Sequence, residues 1–436
     1  MTEADARRKV LRGARTGDIA IADGLIVAVG DVAAAPGDDV ERVDGDIVTA
    51  GLINTHHHLY QWMTRGRAIN CDLFSWLVEL YPVWGRLSVD DVHAAALVGL
   101  AELAATGCTT AADHHYLVPN GDDSVFDAIV DAARQVGIRL HLSRGSMDLG
   151  ESRGGLPPDH VVEDLDAIMA STETIISRHH DGDRVHVVVA PCSPFSVSEE
   201  LMIASAELAR NHGLSLHTHL CETLDEQEHC LERFGRRPVE MLDAWGWLGD
   251  DVWLAHGIHL DDDELVRLGR AGTGVAHCPS SNARLAAGMC RVTDLQAAGA
   301  PVGLGVDGVA SNEVGGLFPE LRQALYTARM REGRADAMTP VDALHIGTRG
   351  GAECVGVAER GFGTIEVGAP ADLVVWPGGN IGDIADPIAA LVLGPDRRAR
   401  HTYVGGDAIV IDGEPVGVNL AAAHRTLAER SRRLWA

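Results

Sequence analysis

Short apolar runs of strand length recur along the middle of this chain and alternate with longer amphipathic stretches. Eight runs of this kind are Ile47 to Asn54, Thr109 to Asp113, Ile138 to Arg144, Val185 to Ala190, Leu214 to His219, Val252 to Ala255, Gly274 to His277 and Val302 to Val306. The stretches between them have a helical period and end near glycines that can cap a helix, as at Val92 to Thr106, Glu199 to His212 and Asp262 to Ala271. Eight strand-helix units in roughly 260 residues predict an α/β fold, a parallel (β/α)8 TIM barrel.

Both ends of the chain follow a different pattern. Residues 17 to 46, Ala371 to Trp376 and Thr402 to Pro415 alternate between apolar and polar residues and contain turn signals, which is typical of short antiparallel strands. We therefore expect a small β-sandwich domain built from residues 1–50 and 360–436, with a C-terminal helix. The barrel is expected to occupy residues 51–359.

The composition excludes several classes of partner. A formal charge of -27, from 36 Lys+Arg against 63 Asp+Glu, offers nucleic acid no basic face and would be repelled by an anionic membrane surface. No apolar run approaches the roughly 18 residues of a membrane span. The 8 cysteines include no Cys-x-x-Cys pair, which fits reduced thiols. We expect a cytoplasmic protein whose partner is a small molecule; a homo-oligomer remains open.

Lysine is almost absent from this chain. Lys9 is the only one, and arginine carries nearly all the positive charge. Schiff-base catalysis, a phosphate-loop lysine and a two-metal site bridged by a carbamylated lysine are therefore excluded. Any metal site in the barrel is expected to hold one ion.

Metal-type residues follow three of the strand runs. His56 and His58 follow the first run, and they share one face because side chains alternate along an extended chain. His219 ends the fifth run and Asp307 follows the eighth. Three histidines and one carboxylate predict a catalytic site for one divalent ion with an open position. Residue type does not choose between Zn²⁺ and Fe²⁺, and we take Zn²⁺ as the first expectation.

Residues suited to proton transfer lie beside this set. Glu222 comes three residues after His219 and is expected to carry protons next to the metal. His256 ends the sixth run and is expected to face the substrate or to support a ligand. His217 lies one pleat deeper than His219, so we expect it to be a packed residue. Asp307 is a ligand that can also share a proton with water.

These motifs resemble those of the amidohydrolase superfamily, in its mononuclear deaminase branch. The segments that carry the resemblance, in chain order, are Gly51 to His58, His219 to Glu222, Leu254 to His256, Val275 to Asn282, Gly305 to Gly308 and Gly363 to Leu373. The resemblance covers nearly the entire chain. It implies a distorted barrel with a sandwich formed by the termini, a metal held by His56, His58, His219 and Asp307, and His256 close to the reacting oxygen.

Two departures from the family pattern are visible. Adenosine-type and S-adenosylhomocysteine-type deaminases usually place a histidine after the fourth strand, where this chain has Cys192. The usual opening strand is replaced by Met1 to Thr16. The segments that resemble 8-oxoguanine deaminases are Asn54 to Arg65, Leu80 to Trp84, Ala112 to Tyr116, Arg144 to Met147, Gly154 to Asp159 and Cys192 to Val197.

The resemblance implies an enzyme that hydrolyses C–N bonds of cyclic amidines. It implies deamination of an amino-substituted purine ring, with 8-oxoguanine converted to urate and ammonia, and the catalytic residues Glu222, His256 and Asp307. The alternatives are an isoxanthopterin or other pterin deaminase and an s-triazine (hydroxyatrazine-type) hydrolase. A non-enzymatic scaffold relative is disfavoured, because none of the metal-type and catalytic residues is missing. The candidate contacts to the purine edge and face are Gln61, Trp76, Arg144, Cys192 and Ser193.

Overall fold

The computed structural model describes residues 8–436 of the chain. Its strands are β1 (Lys9–Arg12), β2 (Asp18–Ala22), β3 (Leu25–Gly30), β4 (Asp39–Arg42), β5 (Ile47–Ala50), β6 (Leu52–Asn54), β7 (Cys108–His115), β8 (Arg139–Ser146), β9 (Val185–Pro191), β10 (Leu216–Leu220), β11 (Val252–His256), β12 (Gly274–His277), β13 (Val302–Leu304), β14 (Leu373–Trp376), β15 (His401–Val404), β16 (Asp407–Ile411) and β17 (Glu414–Pro415).

The α-helices of the same residues are α1 (Leu73–Trp84), α2 (Val89–Ala105), α3 (Ser124–Val136), α4 (Leu165–His179), α5 (Glu199–Asn211), α6 (Leu224–Phe234), α7 (Pro238–Ala244), α8 (Asp262–Ala271), α9 (Pro279–Arg284), α10 (Val292–Ala298), α11 (Phe318–Glu332), α12 (Pro340–Gly347), α13 (Arg349–Cys354), α14 (Pro387–Leu393) and α15 (Leu420–Trp435). A 3-10 helix at Leu59–Thr64 follows β6. None of these helices combines the length and apolar character that a bilayer crossing requires.

Eight strands form a closed parallel barrel. Their order around the barrel is β10-β11-β12-β13-β6-β7-β8-β9, and the predicted (β/α)8 fold is confirmed. The strands differ in length, since β7 and β8 each have 8 residues whereas β6 and β13 have 3. The barrel is therefore irregular, as expected.

The first predicted strand is in fact two strands that belong to different sheets. β5 pairs antiparallel with β14, whereas β6 pairs in parallel with β7 and β13. Gly51 lies between them, where a Cβ would stand 2.1 Å from Thr109 Oγ1. Only glycine fits this approach. One continuous apolar run thus leads from the sandwich directly to the histidines at the barrel mouth.

Two antiparallel or mixed sheets form the predicted β-sandwich. Their orders are β3-β2-β1-β4 and β17-β16-β15-β14-β5. β1 pairs with both β2 and β4, so the expectation that Met1 to Thr16 replaces the opening strand is wrong for Lys9–Arg12. This strand has only 4 residues. Its two apolar residues, Val10 and Leu11, are adjacent, so the sequence shows no alternation that would predict a strand.

The domain boundaries at 50/51 and 359/360 stay predictions, and residues 1–7 lie outside the described part of the chain. The C-terminal helix α15 contacts the barrel. Arg430 donates to Asp91 at 2.9 Å, and His424 lies 2.8 Å from Glu102. Both acceptors belong to α2, and Ser431 Oγ donates to the carbonyl of Met63 at 2.8 Å. The helix therefore supports the segment that follows the metal-type histidines.

A buried ion pair joins the barrel to the sandwich. Arg139 begins β8, and its Nε and Nη2 donate to the two carboxylate oxygens of Asp372 at 2.8 and 3.2 Å. The side chains are only 8% and 4% exposed. Asp372 also accepts from the backbone N–H of Gly405 at 2.7 Å. The Ala371 to Leu373 motif of the sequence thus has a structural role.

We expect Asp372→Ala to lower the free energy of unfolding by about 3–5 kcal/mol, because it leaves a buried guanidinium without its counter-charge. Asp183, which also accepts from Arg139, is 60% exposed and does not replace it. Denaturant titration measures the loss. Asp336→Ala is the control, since its pair with Arg334 is exposed and contributes about 0–1 kcal/mol. Equal losses in the two variants would contradict the assignment.

Candidate active site

The four predicted metal ligands come together at the carboxyl ends of the barrel strands. His56 and His58 follow β6, His219 lies in β10, and Asp307 follows β13. His58 Nε2 lies 3.1 Å from His219 Nε2. Asp307 Oδ1 lies 3.5 Å from His56 Nε2 and 3.4 Å from His58 Nε2. All four side chains are buried.

Backbone carbonyls fix the tautomers of two of these histidines. His58 Nδ1 lies 2.7 Å from the carbonyl oxygen of His114, and His219 Nδ1 lies 2.7 Å from that of Cys192. A carbonyl only accepts, so each Nδ1 must carry a hydrogen. Burial lowers the pKa of both imidazoles and keeps them neutral. Each Nε2 therefore carries a lone pair, and the two lone pairs face each other across 3.1 Å.

His56 is oriented in the same way through a second histidine. His217 Nδ1 donates to the carbonyl of Trp253 at 2.9 Å, and its Nε2 accepts from His56 Nδ1 at 2.8 Å. His56 Nε2 then carries a buried lone pair with no hydrogen-bond partner among the described residues. His217 is packed, as expected, since it stacks on the Trp253 ring at 4.5 Å. It also positions His56, which the sequence did not indicate.

These donors fit a divalent metal ion. The donor atoms of His56, His58 and His219 lie within 4.8 Å of one another, Asp307 Oδ1 lies within 3.5 Å of two of these imidazoles, and without a cation these electron-rich atoms would repel one another. The tautomers leave no hydrogen on these atoms that could relieve the repulsion. The site is therefore a metal site.

Asp307 is held rigidly in an unusual backbone conformation. Its φ of +62° lies in the left-handed region. Oδ2 accepts from Ser281 Oγ at 2.5 Å and from Ser311 Oγ at 3.3 Å, and Oδ1 accepts from the N–H of Gly308 at 2.7 Å. Burial alone would raise the pKa of Asp307, but the positive charge of protonated His256 holds it well below its usual range. The carboxyl group is therefore present as a carboxylate.

Glu222 and His256 form a pair beside the metal site. His256 ends β11 with a φ of +75°, and its Nδ1 bonds to Asn282 Oδ1 at 3.0 Å. Its Nε2 lies 3.7 Å from Glu222 Oε2. Burial opposes protonation of His256, yet the charges of Glu222 and Asp307 raise its pKa, and burial raises the pKa of Glu222. Such a pair can hold and transfer a proton near neutral pH.

A cavity of about 530 Å³, its mouth included, opens above these groups. The residues at its floor are His58, His219, Glu222, His256 and Asp307. The predicted substrate contacts that line it are Gln61, Trp76, Cys192 and Ser193. The wall residues that the sequence did not single out include Leu73, Leu77, Tyr81, Tyr116, Phe195 and Leu285.

Arg144 does not line this cavity, so its prediction as a substrate contact is wrong. Its guanidinium donates to Glu163 at 3.0 and 2.8 Å and to Ser171 Oγ at 3.1 Å. In the β7–β8 ladder, Arg144 pairs with His115, which contacts Phe126 of α3. Registered neighbours share a face of the sheet, so Arg144 points toward the surrounding helices. The position of Arg144 at a strand end did not show which face of the sheet its side chain occupies.

Gln61 and Trp76 are held by the same residue. Gln61 Oε1 accepts from the N–H of Ala310 at 3.3 Å, and Trp76 Nε1 donates to the carbonyl of Ala310 at 3.1 Å. Because its oxygen is engaged, Gln61 has its Nε2 donors left for a ligand. A Cβ at Gly308 would stand 1.8 Å from Gln61 Oε1, so a larger residue there would displace the Gln61 amide.

Cys192 contributes through both its backbone and its side chain. Its carbonyl oxygen orients His219, and its side chain borders the cavity. Burial raises the pKa of the Cys192 thiol to about 12. In the absence of a metal the thiol therefore stays neutral, which argues against a role as a nucleophile.

Comparison with known proteins agrees with this fold and site. Residues 47–409 match the Amidohydrolase family, and the chain belongs to this family. It is 48% identical to an 8-oxoguanine deaminase from Pseudomonas aeruginosa, over 93% of this chain and 92% of that protein. It is 34% identical to an isoxanthopterin deaminase from an unknown prokaryotic organism, over 92% and 89% of the two chains.

Solved structures show the same architecture. The crystal structure of atrazine chlorohydrolase from Arthrobacter aurescens, complexed with zinc, superimposes with a TM-score of 0.91 at 30% identity. The match covers 97% of this chain and 100% of that one. The barrel and sandwich are therefore shared along the whole length.

Zinc is expected to stabilise the chelator-treated protein against thermal unfolding, by about 2.7 kcal/mol when free zinc is 100-fold above its dissociation constant. His219→Ala should lose most of this gain, because it removes one converging lone pair. Differential scanning calorimetry with and without zinc measures it. His93→Ala is the control, since His93 lies on α2 and bonds to Gln135, away from the barrel mouth. The same zinc response in both variants would contradict the site.

Proposed function

We propose that this chain is a metal-dependent aminohydrolase that converts 8-oxoguanine and water to urate and ammonia. The observation that carries the proposal is a small cavity with converging lone pairs and the Glu222–His256 pair at its floor. The identity of 48% to an 8-oxoguanine deaminase supports the choice of substrate. The cytoplasmic location remains a prediction from the sequence, which does not choose between a monomer and a homo-oligomer.

The proposed cofactor is one Zn²⁺ ion held by His56, His58, His219 and Asp307, with Fe²⁺ as the alternative. The support for a single ion is a donor set sufficient for one, together with a barrel that contains no lysine to bridge two. When bound, a divalent cation supplies the Lewis acidity that makes water a nucleophile near neutral pH.

The remaining chemistry belongs to the side chains. Glu222 accepts a proton from the attacking water and passes it to a ring nitrogen, for which its raised pKa is suited. His256 donates from Nε2 to the oxyanion that develops on the attacked carbon. Asp307 shares a proton with the water and assists the departure of ammonia. His256 and Asp307 have a left-handed backbone, which costs about 1–3 kcal/mol each, and the hydrogen bonds of their side chains hold them in this conformation.

The cavity walls suit a planar heterocycle that carries an oxo group. Trp76, Tyr81 and Phe195 supply aromatic surface, and the Nε2 of Gln61 is a donor for an oxo oxygen. At the position after the fourth strand where nucleoside deaminases usually have a histidine, this chain has the smaller side chain of Cys192. An isoxanthopterin ring presents a similar oxo-bearing edge, and the 34% identical isoxanthopterin deaminase makes it the second candidate.

We expect kcat/KM for 8-oxoguanine to exceed that for guanine, adenosine and S-adenosylhomocysteine by about 100-fold or more, because a site that bonds the 8-oxo group rejects rings that lack this group. Steady-state assays of ammonia release across these compounds, isoxanthopterin and hydroxyatrazine measure it. Urate formation is followed in parallel. If a pterin, triazine or nucleoside proves best by an order of magnitude, the substrate is wrong while the hydrolase class stands.

Glu222→Gln is expected to retain the metal and to lower kcat by about 10²–10⁴-fold, because it removes a proton carrier without removing a ligand. Asp307→Ala should lose both metal and turnover. Elemental analysis alongside kinetics separates the two effects. Near-normal turnover by metal-loaded Glu222→Gln would rule out the proton-transfer assignment, and two tightly bound ions per chain would rule out the single-ion site.

A further inference from the structure

A second buried carboxyl group lies four residues after Glu222, and the proposed mechanism does not use it. Glu226 stands in the first turn of α6, borders the cavity and is 1% exposed. Burial of a carboxyl group costs free energy unless its oxygens are hydrogen-bonded. Both oxygens of Glu226 are bonded to backbone amides rather than to a cation.

These bonds hold the turn that carries Glu222. Glu226 Oε1 accepts from the N–H of Cys221 at 2.5 Å, and Oε2 accepts from the N–H of Glu222 at 3.3 Å. Cys221 has a φ of +55°, in the left-handed region that a side chain disfavours by about 1–3 kcal/mol. The carboxyl group thus stabilises a strained peptide directly before the proposed proton carrier.

Helix capping alone does not account for this arrangement. In α8 the third helical residue, Glu264, bonds back to the N–H of the capping residue Asp261 in a complete capping box. Glu226 occupies the same position in α6, where Thr223 caps its N–H. Its carboxyl group instead reaches past Thr223 to the two residues before it.

The other side of the same turn is attached to the next strand end. The carbonyl of Cys221 accepts from the N–H groups of Ile258 and His259 at 2.8 and 3.0 Å. These residues follow His256, whose Nε2 faces Glu222 Oε2. The turn is therefore held from both sides, and its position sets the distance between the two members of the catalytic pair.

We propose that Glu226 is a positioning residue that directs the carboxyl group of Glu222 toward the substrate. This inference rests on the proposed function, in which Glu222 carries the proton. Glu226 acts through two backbone amides and does not itself touch the reacting atoms.

The test compares Glu226→Gln with Glu264→Gln in the full-length, metal-loaded enzyme. The amide introduced by Glu226→Gln has one acceptor oxygen and places its NH₂ against the N–H of Glu222 or Cys221, so the turn should shift. We expect kcat to fall by about 10–100-fold, as for a misplacement of about 1 Å, with KM and metal content unchanged. Glu264 is a buried residue at the same helix position, and its variant should keep the wild-type kcat even where stability falls.

A double variant shows whether the effect passes through Glu222. The double variant Glu222→Gln with Glu226→Gln should be no slower than Glu222→Gln alone. The reason is that Glu226→Gln acts by moving the Glu222 carboxyl group, which Glu222→Gln has already removed. If kcat of the double variant falls below that of Glu222→Gln by the full factor measured for Glu226→Gln alone, the inference is wrong. A wild-type kcat in Glu226→Gln, or an equal loss of kcat in Glu264→Gln, would also overturn it.

The choice of substrate keeps this test apart from that of the proposed function. The rates are measured on whichever amino-heterocycle the wild type converts, so a different preferred ring leaves the inference standing. An enzyme inactive on every ring contradicts both. If Glu226→Gln does not fold, Glu226→Asp takes its place, since it keeps the carboxyl group but withdraws it by one methylene and should lower kcat in the same way.

Discussion

The structure depends on hydrogen bonds between imidazole Nδ1–H groups and backbone carbonyls at the barrel mouth. His58 and His219 bond to carbonyls directly, and His56 does so through His217. Each bond fixes a tautomer, and each tautomer leaves a lone pair directed at one point. The metal site is thus built by the strands themselves, because the accepting carbonyls belong to neighbouring strands or to the segments that follow them.

The strand ends that carry the chemistry are also the strained ones. Cys221, His256 and Asp307 all have positive φ, and each follows or ends a barrel strand. Strain at these positions persists only where the surroundings hold it. Glu226 and the segment after β11 form hydrogen bonds with Cys221. Asn282 bonds to His256, and serine hydroxyls donate to Asp307. The Glu222–His256 pair and the cluster of metal-type residues are therefore held rigidly beside each other.

Several sequence expectations failed for identifiable physical reasons. Arg144 looked like a substrate contact because it ends a strand, but the pairing register places it on the helix-facing side. The first apolar run looked like one strand, yet Gly51 divides it between two sheets. β1 went unnoticed because a strand of 4 residues has too little alternation to read. The first two errors concern the face or the sheet that a recognised segment joins, and the third is a strand too short to predict.

The sequence by itself determined the barrel, the sandwich and the family, and it predicted the residue types of a metal site, because periodic apolar runs and ordered motifs are local properties of a chain. Only the tertiary structure decided which lone pairs converge, that His217 orients His56, and that Glu226 bonds back to the turn at Cys221. These are relations between side chains and backbone groups whose distance and direction depend on how strands and turns are placed. Spacing along the chain contains no such information.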